Sequence, residues 1–265
     1  MNHLIDVHCH VLWGVDDGLK TFEEATKQLE LAHLNKIRVL VATPHNQPNG
    51  KYFPSENDIV EKVNSLNIWA KAHQLDVEVK YGSEFMINDY ALKYIEKRKY
   101  LCYQDTDYLL IEQKSKNTID RLMLDVIDLL SYQQKKILIA HVERYFENID
   151  DALRTCKMWK NRGAFLQINR TNILKLESNK RHKIAMALIR ENLCHIVATD
   201  AHTLEGKRVC KLDDSYLVIK KKFGEKTADL LHVKNPKYLL DNLSLVDIRA
   251  DEKKFNFLLS RKIRK

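Results

Sequence analysis

The chain has 265 residues, 45% of them hydrophobic and 30% charged, enough to bury a full core in one large α/β domain or two small ones. No run of about 18 apolar residues occurs, so no membrane span is expected, and residues 4–7 are too short for the apolar part of a signal peptide. The formal net charge of +8 admits nucleic acid, anionic lipid or a phosphorylated substrate. That charge is diffuse. Only Lys220-Lys221-Lys222 and Arg261-Lys262-Ile263-Arg264-Lys265 are tight runs, and both read as solvated surface. No basic stripe interleaved with aromatics is present, so no nucleic-acid partner is expected. Five scattered cysteines (Cys9, Cys102, Cys156, Cys194, Cys210) fit reduced thiols and a cytoplasmic location better than a disulfide framework.

In chain order the pattern alternates strand and helix. Residues 4–8 form the first strand, and Thr21 with Glu24 makes a capping box that opens a helix to about residue 34. Residues 37–43, almost all β-branched or apolar, suit a strand buried on both faces. A helix over 56–73 leads to a third strand at 77–81 and a helix near 90–97. The fourth strand, 108–111, precedes a helix over 118–133. The fifth, 137–140, precedes one over 151–160. The sixth, 165–168, precedes one over 180–191. The seventh, 196–199, is followed by helices to about 231, and Pro236 opens a last segment with less pattern. There is no Gly/Ser/Pro linker and no repeat. Seven βα units predict a distorted (β/α)7 TIM-like barrel over residues 1–242, with a doubly wound open sheet as competitor and a basic extension over 243–265.

The carboxyl ends of these strands carry a distinctive set of side chains. His8 and His10 alternate onto one face at the end of strand one. His45 follows strand two, Glu84 strand three, Glu112 ends strand four, His141 strand five, and Asp200 with His202 strand seven. A parallel barrel builds its active site at that end, and capping acids and core histidines would not select one end of the sheet so consistently. Imidazole mixed with carboxylate, without Cys-x-x-Cys pairs, predicts a hydrolytic metal site suited to Mn, Fe or Zn. The number of ligands calls for two or three ions, with Glu84 able to bridge two. Such a centre generates hydroxide near neutral pH and clamps a phosphoryl group for in-line displacement.

Asp6-x-His8-x-His10 with Asp16-Asp17-Gly18, Thr43-Pro44-His45, Gly82-x-Glu84, Ile111-Glu112, Ile139-Ala140-His141-x-Glu143-Arg144 and Thr199-Asp200-Ala201-His202, in that order, resemble the polymerase and histidinol phosphatase (PHP) family. His141–Tyr145 and Val15–Gly18 resemble most its bacterial tyrosine phosphatase branch, the CpsB type of capsular and exopolysaccharide synthesis. The resemblance implies a trinuclear, often manganese-dependent phosphoesterase (Mg being a further possible ion). By that resemblance His8, His10, Glu84 and Asp200 hold one metal, Glu84, Glu112 and His141 a second, and Asp17, His45 and His202 a third. Asp17 matches the family ligand better than Asp16. Arg144 and Arg208 match phosphate-binding arginines, although Lys207 holds the nearest aligned position; a guanidinium grips phosphate bidentately, which favours Arg208. The implied substrate is a phosphotyrosine protein, the tail of a bacterial tyrosine kinase. His45 or a bound water serves as proton donor. A small-molecule phosphatase such as histidinol phosphatase is the alternative.

Other features read as structural. Cys156 and Arg162 have the spacing of a cysteine phosphatase loop, but the intervening Lys-Met-Trp-Lys-Asn lacks glycine and is helical in pattern. Cys9 alternates away from the histidines. His3, His33, His73, His182, His195 and His232 fall off the strand ends. Arg170 reads as a solvated loop arginine or a phosphate aid.

Overall fold

The computed structural model describes residues 3–113 and 120–248. The run 261–265, the start of the helix expected over 118–133, and residues 249–265 of the expected extension lie outside the described residues. Among the described residues there are nine parallel strands: β1 Leu4–Cys9, β2 Ile37–Ala42, β3 His45–Asn46, β4 Glu78–Tyr81, β5 Glu84–Ile87, β6 Tyr108–Gln113, β7 Lys136–Ile139, β8 Phe165–Asn169 and β9 Ile196–Ala198. One sheet runs β1-β2-β4 and the other β3-β5-β6-β7-β8-β9. The two are one curled surface, because β3 continues β2 and β5 continues β4.

The expected second and third strands are thus each broken in two. Pro44, which has no N–H to donate, interrupts the first. At Gly82 a Cβ would come within 3.2 Å of the Tyr103 ring and 3.5 Å of Thr43 Cγ2, so the bend is packed tightly enough to favour a glycine. Pairing nonetheless persists across the breaks, with Gly82 N donating to Ala42 O at 2.9 Å and Glu84 N to Pro44 O at 3.0 Å. The last strand returns to the first through Asp200 N to His8 O and His10 N to Ala201 O, both 2.9 Å.

Helices cover the outside. The first, Phe22–Leu34, starts with both bonds of the capping box between Thr21 and Glu24, and its buried Ala25, Leu29 and Ala32 recur at helical spacing. Asp120–Tyr132, Ile149–Asn161 and Asn179–Arg190 follow the later strands. An apolar cluster of Ile5, Val7, Val41, Leu110, Leu138, Ala140, Ile196 and Ala198 fills the inside, and Leu239 and Leu245 join it. The final segment is more ordered than its sequence suggests. A π-helical turn, Leu230–Lys234, runs into the helix Asn235–Leu240. Residues 243–248 then dock on the barrel, as Asn235 exchanges bonds with Val246 and Tyr108 donates its hydroxyl to Leu243 O. The boundary expected at residue 242 therefore falls within packed chain. Among the described residues no helix is long and apolar enough to cross a membrane.

Candidate metal centre

β1 sets the first two histidines by a local irregularity. Asp6 pairs with Leu40 and Cys9 with Ala42, so β1 spends three residues where β2 spends two. The extra residue is a β-bulge, which re-aims side chains. Val7 stays in the interior cluster, His8 and His10 face the site, and Cys9 packs outward, where Gln28 Nε2 donates to its sulfur at 3.1 Å.

The nine expected ligands converge. His8 Nε2 lies 3.3 Å from Glu84 Oε1 and 3.6 Å from Asp200 Oδ1. His10 Nε2 lies 3.4 Å from Glu84 Oε2 and 3.6 Å from Asp200 Oδ1. His141 Nε2 is 2.8 Å from Glu84 Oε1 and 3.8 Å from Glu112 Oε2. Asp17 Oδ1 stands 3.3 Å from His45 Nε2 and 3.4 Å from His202 Nε2. Glu84 is common to the first two groups. His45 does not keep to the third: its Nδ1 is 3.0 Å from both Glu84 and Glu112.

The donor chemistry fits cations. His45 Nδ1, Glu84 Oε2, Glu112 Oε1 and His141 Nδ1 are buried without a hydrogen-bond partner. Buried carboxylate oxygens without donors are costly unless a positive charge compensates them. Burial would push Glu84 and Asp200 up. The surrounding imidazoles, and Arg208 beside Asp200, instead hold both carboxyls well below the usual carboxylate range. Hydrogen bonds from His202 and His45 do the same for Asp17. The centre therefore gathers four carboxyl groups with five imidazoles.

An outer layer orients this set. His10 Nδ1 is 2.7 Å from Asp16 Oδ2, which also accepts from His45 N at 3.1 Å, while Asp16 Oδ1 accepts from Gly18 N at 2.8 Å. Asp16 thus fixes the ring of His10 and turns Nε2 inward. A Cβ on Gly18 would meet His10 O at 2.4 Å, so this loop closes over His10 only with glycine. His8 Nδ1 is 2.9 Å from Gln167 Oε1, which also accepts from His141 N at 3.3 Å. Gln167 Nε2 donates to Asn169 Oδ1 at 2.6 Å, and Asn169 Nδ2 donates to Asp200 Oδ2 at 2.7 Å. β8, which carries none of the expected ligands, supplies both of these residues. Their signal was present in the sequence: amides at alternate positions of a buried strand, Gln167 and Asn169 on either side of Ile168. Glu143 accepts from Asn169 N and Asn172 Nδ2, which ties the turn after β7 to β8. His141 and Asp200 both sit in the left-handed region, at φ 33° and 53°, a strained backbone that functional sites retain.

The centre opens into a cavity of about 320 Å³ lined also by Gln47, Met86, Tyr145 and three arginines. Arg144 Nη1 donates to Asp200 Oδ2 at 3.1 Å, and Arg208 Nη2 to Asp200 Oδ1 at 2.6 Å. Lys207 is exposed and does not line the cavity. Arg181, on the helix Asn179–Arg190, is the third arginine and was not foreseen. Arg170 is neither solvated nor at the phosphate position. It is buried, pairs through Nε and Nη2 with Asp214, and donates from Nη1 to Lys207 O at 3.0 Å, so it braces the loop that carries Arg208. Cys156 is buried in the helix Ile149–Asn161, and burial pushes its thiol well up.

Comparison with known proteins bears on this site. The profile of the family described as capsular polysaccharide synthesis, CpsB/CapC, matches residues 4–241. Tyrosine-protein phosphatase CpsB of Streptococcus pneumoniae is 29% identical over 246 residues, covering 91% of this chain and 100% of the relative. Tyrosine-protein phosphatase YwqE of Bacillus subtilis is 28% identical over 245 residues, covering 91% and 93%. A solved structure described with YwqE from Bacillus subtilis and CpsB from Streptococcus pneumoniae as metal-dependent tyrosine phosphatases superimposes with a TM-score of 0.83 at 26% identity, covering 92% and 97%. Histidinol phosphate phosphatase from Lactococcus lactis shares the fold at 14% identity, with a TM-score of 0.56 over 87% of this chain and 95% of that one.

Proposed function

The chain belongs to the capsular polysaccharide synthesis CpsB/CapC family, and on that footing we propose that it is a metal-dependent phosphatase that hydrolyses phosphotyrosine in proteins. The observation that carries this reading is the position of Glu84. It lies between two groups of imidazoles, beside a cavity in which Arg144 and Arg208 already rest on Asp200. We assign His8, His10, Glu84 and Asp200 to one ion, Glu84, Glu112 and His141 to a second, and Asp17, His45 and His202 to a third. Divalent ions held there supply Lewis-acid charge and lower the pKa of the attacking water.

The chain's own residues do the rest. Arg144 and Arg208 donate to the equatorial phosphoryl oxygens, whose charge they stabilise most when the bond to the leaving group is breaking. Asp200 keeps both guanidiniums in place. His45 faces carboxylates with both ring nitrogens, so we assign it to ion holding and not to proton donation. Phenolate leaves readily and needs no strong acid. Cys156 takes no part.

Imidazole with carboxylate suits Mn²⁺, with Fe, Zn or Mg as alternatives. The substrate proposed is the tail of a bacterial tyrosine kinase that controls polysaccharide export. A cytoplasmic location agrees with that substrate and with five unpaired cysteines. The test is a panel of phosphotyrosine peptide, phosphoserine peptide and histidinol phosphate with the purified chain. Phosphotyrosine turnover is expected, abolished by EDTA and restored by Mn²⁺, with more than one equivalent of transition metal per chain by elemental analysis. Activity that survives thorough chelation would sink the mechanism, and a preference for histidinol phosphate would replace the substrate.

A further inference from the structure

Arg181 lines the same cavity as Arg144 and Arg208 but stands in a different relation to it. The other two donate directly to Asp200. Arg181 touches none of the candidate ligands. Its Nη1 pairs with Glu177, whose other oxygen accepts from Thr171 Oγ1 at 2.9 Å. Its backbone N donates to the capping Ser178 Oγ at 3.1 Å, in the first turn of the helix Asn179–Arg190. The guanidinium is therefore fixed by a partner behind it, while Nε and Nη2 have no acceptor among the described residues. Its side chain is 28% exposed. Arg181 is a held cation on the cavity wall, about as exposed as Arg144 at 30% and Arg208 at 32%, that no candidate ligand engages.

We infer that Arg181 is a specificity residue that binds a carboxylate flanking the phosphotyrosine of the substrate, so that the enzyme favours acidic phosphotyrosine peptides. The inference rests on the phosphotyrosine reading above. The phosphoryl oxygens already have Arg144, Arg208 and the ions. A phosphotyrosine side chain reaching into the cavity brings its neighbouring residues against the cavity wall, where Arg181 is the arginine not engaged by Asp200. A planar guanidinium anchored on one edge offers its other donors as a fork to a carboxylate. A half-open pair of this kind adds about 2- to 5-fold in apparent affinity and weakens with salt.

The test compares KM and kcat of the metal-loaded chain on a phosphotyrosine peptide with Glu on both sides, the same peptide with Gln, and free phosphotyrosine. The wild type is expected to show a KM about 2- to 5-fold lower for the acidic peptide at low salt. Arg181→Gln should erase that ratio with kcat unchanged, and Arg181→Lys should keep part of it. Arg181→Glu should reverse it toward a Lys-flanked peptide, a gain that misfolding would not produce. A wild type without the preference, or an Arg181→Gln variant that retains it, overturns the inference. So does an equal loss on free phosphotyrosine, which would place Arg181 on the phosphoryl group. A wild type that hydrolyses neither peptide nor free phosphotyrosine but does hydrolyse other phosphate esters overturns the underlying function instead.

Discussion

Arg144 and Arg208 rest on the two oxygens of one buried carboxylate, so Asp200 must serve both guanidiniums and the two imidazoles of His8 and His10. Removing an arginine leaves Asp200 with the other and with the imidazoles, so the metal site survives while the phosphoryl group loses a donor. Arg144→Ala and Arg208→Ala are each expected to lower kcat about 10²–10³-fold, with metal content and melting temperature near those of the parent. Lys207→Ala, exposed and outside the cavity, should stay within about two-fold by the same scale; a larger loss would transfer the second role to Lys207. Gln167 acts one step further out. Its amide oxygen holds the Nδ1–H of His8 and the backbone of His141. Gln167→Leu should reduce metal affinity about 10- to 100-fold, measured by competition with a chelator. Unchanged affinity would mean that His8 is oriented by packing alone.

At the level of elements, the alternation of strand and helix was legible because buried parallel strands are continuous apolar runs and the helices carry caps. The convergence of ligands was legible for the same reason: once the strands are placed, polar residues at their carboxyl ends stand out. Three features left less trace. The bulge in β1 falls between Asp6 and Cys9, and neither Val7 nor His8 between them is a glycine or proline that would mark a register shift. Glu84 was read as lying beyond a strand that in fact resumes there as β5, because the Gly82 bend looks like an end. Arg170 and Arg181 owe their roles to Asp214 and Glu177, partners that are set only when the helices dock. The Cys156 spacing shows the converse, a motif that the element overrules. In a helix the backbone N–H groups bond to earlier carbonyls and offer no cradle for phosphate. Cys156→Ser should therefore leave turnover essentially unchanged in the folded protein. A loss of several orders of magnitude with the circular dichroism intact would restore the thiol as nucleophile.

At the level of the whole molecule, a basic exterior surrounds an acidic, histidine-rich centre, and acid will act on both that centre and the frame beneath it. The frame has its own titrating group. His232 lies on the π-helical turn Leu230–Lys234, which packs against β1 and β9, the strands that present His8, His10 and Asp200. It is fully buried, with Nδ1 3.0 Å from Ala228 O and Nε2 3.0 Å from Ser215 Oγ. Burial pushes its pKa down to about 4, against 6.5 for the free side chain. The imidazole is thus neutral in the fold but protonates near pH 6.5 when the chain unfolds. Its contribution is complete above about pH 6.5 and is lost as the pH falls toward 4, amounting to about 3 kcal/mol over that window. In the presence of EDTA, which removes the ions from the comparison, the melting temperature of the parent measured against that of His232→Gln should fall between pH 7 and 4.5, a difference in which the opposite contributions of Glu143 and Asp6 cancel. His232→Gln keeps an amide in that space but cannot take up the proton. It should start lower at pH 7 and fall less steeply, so that the two curves converge in acid. Parallel curves would show that His232 titrates alike in both states.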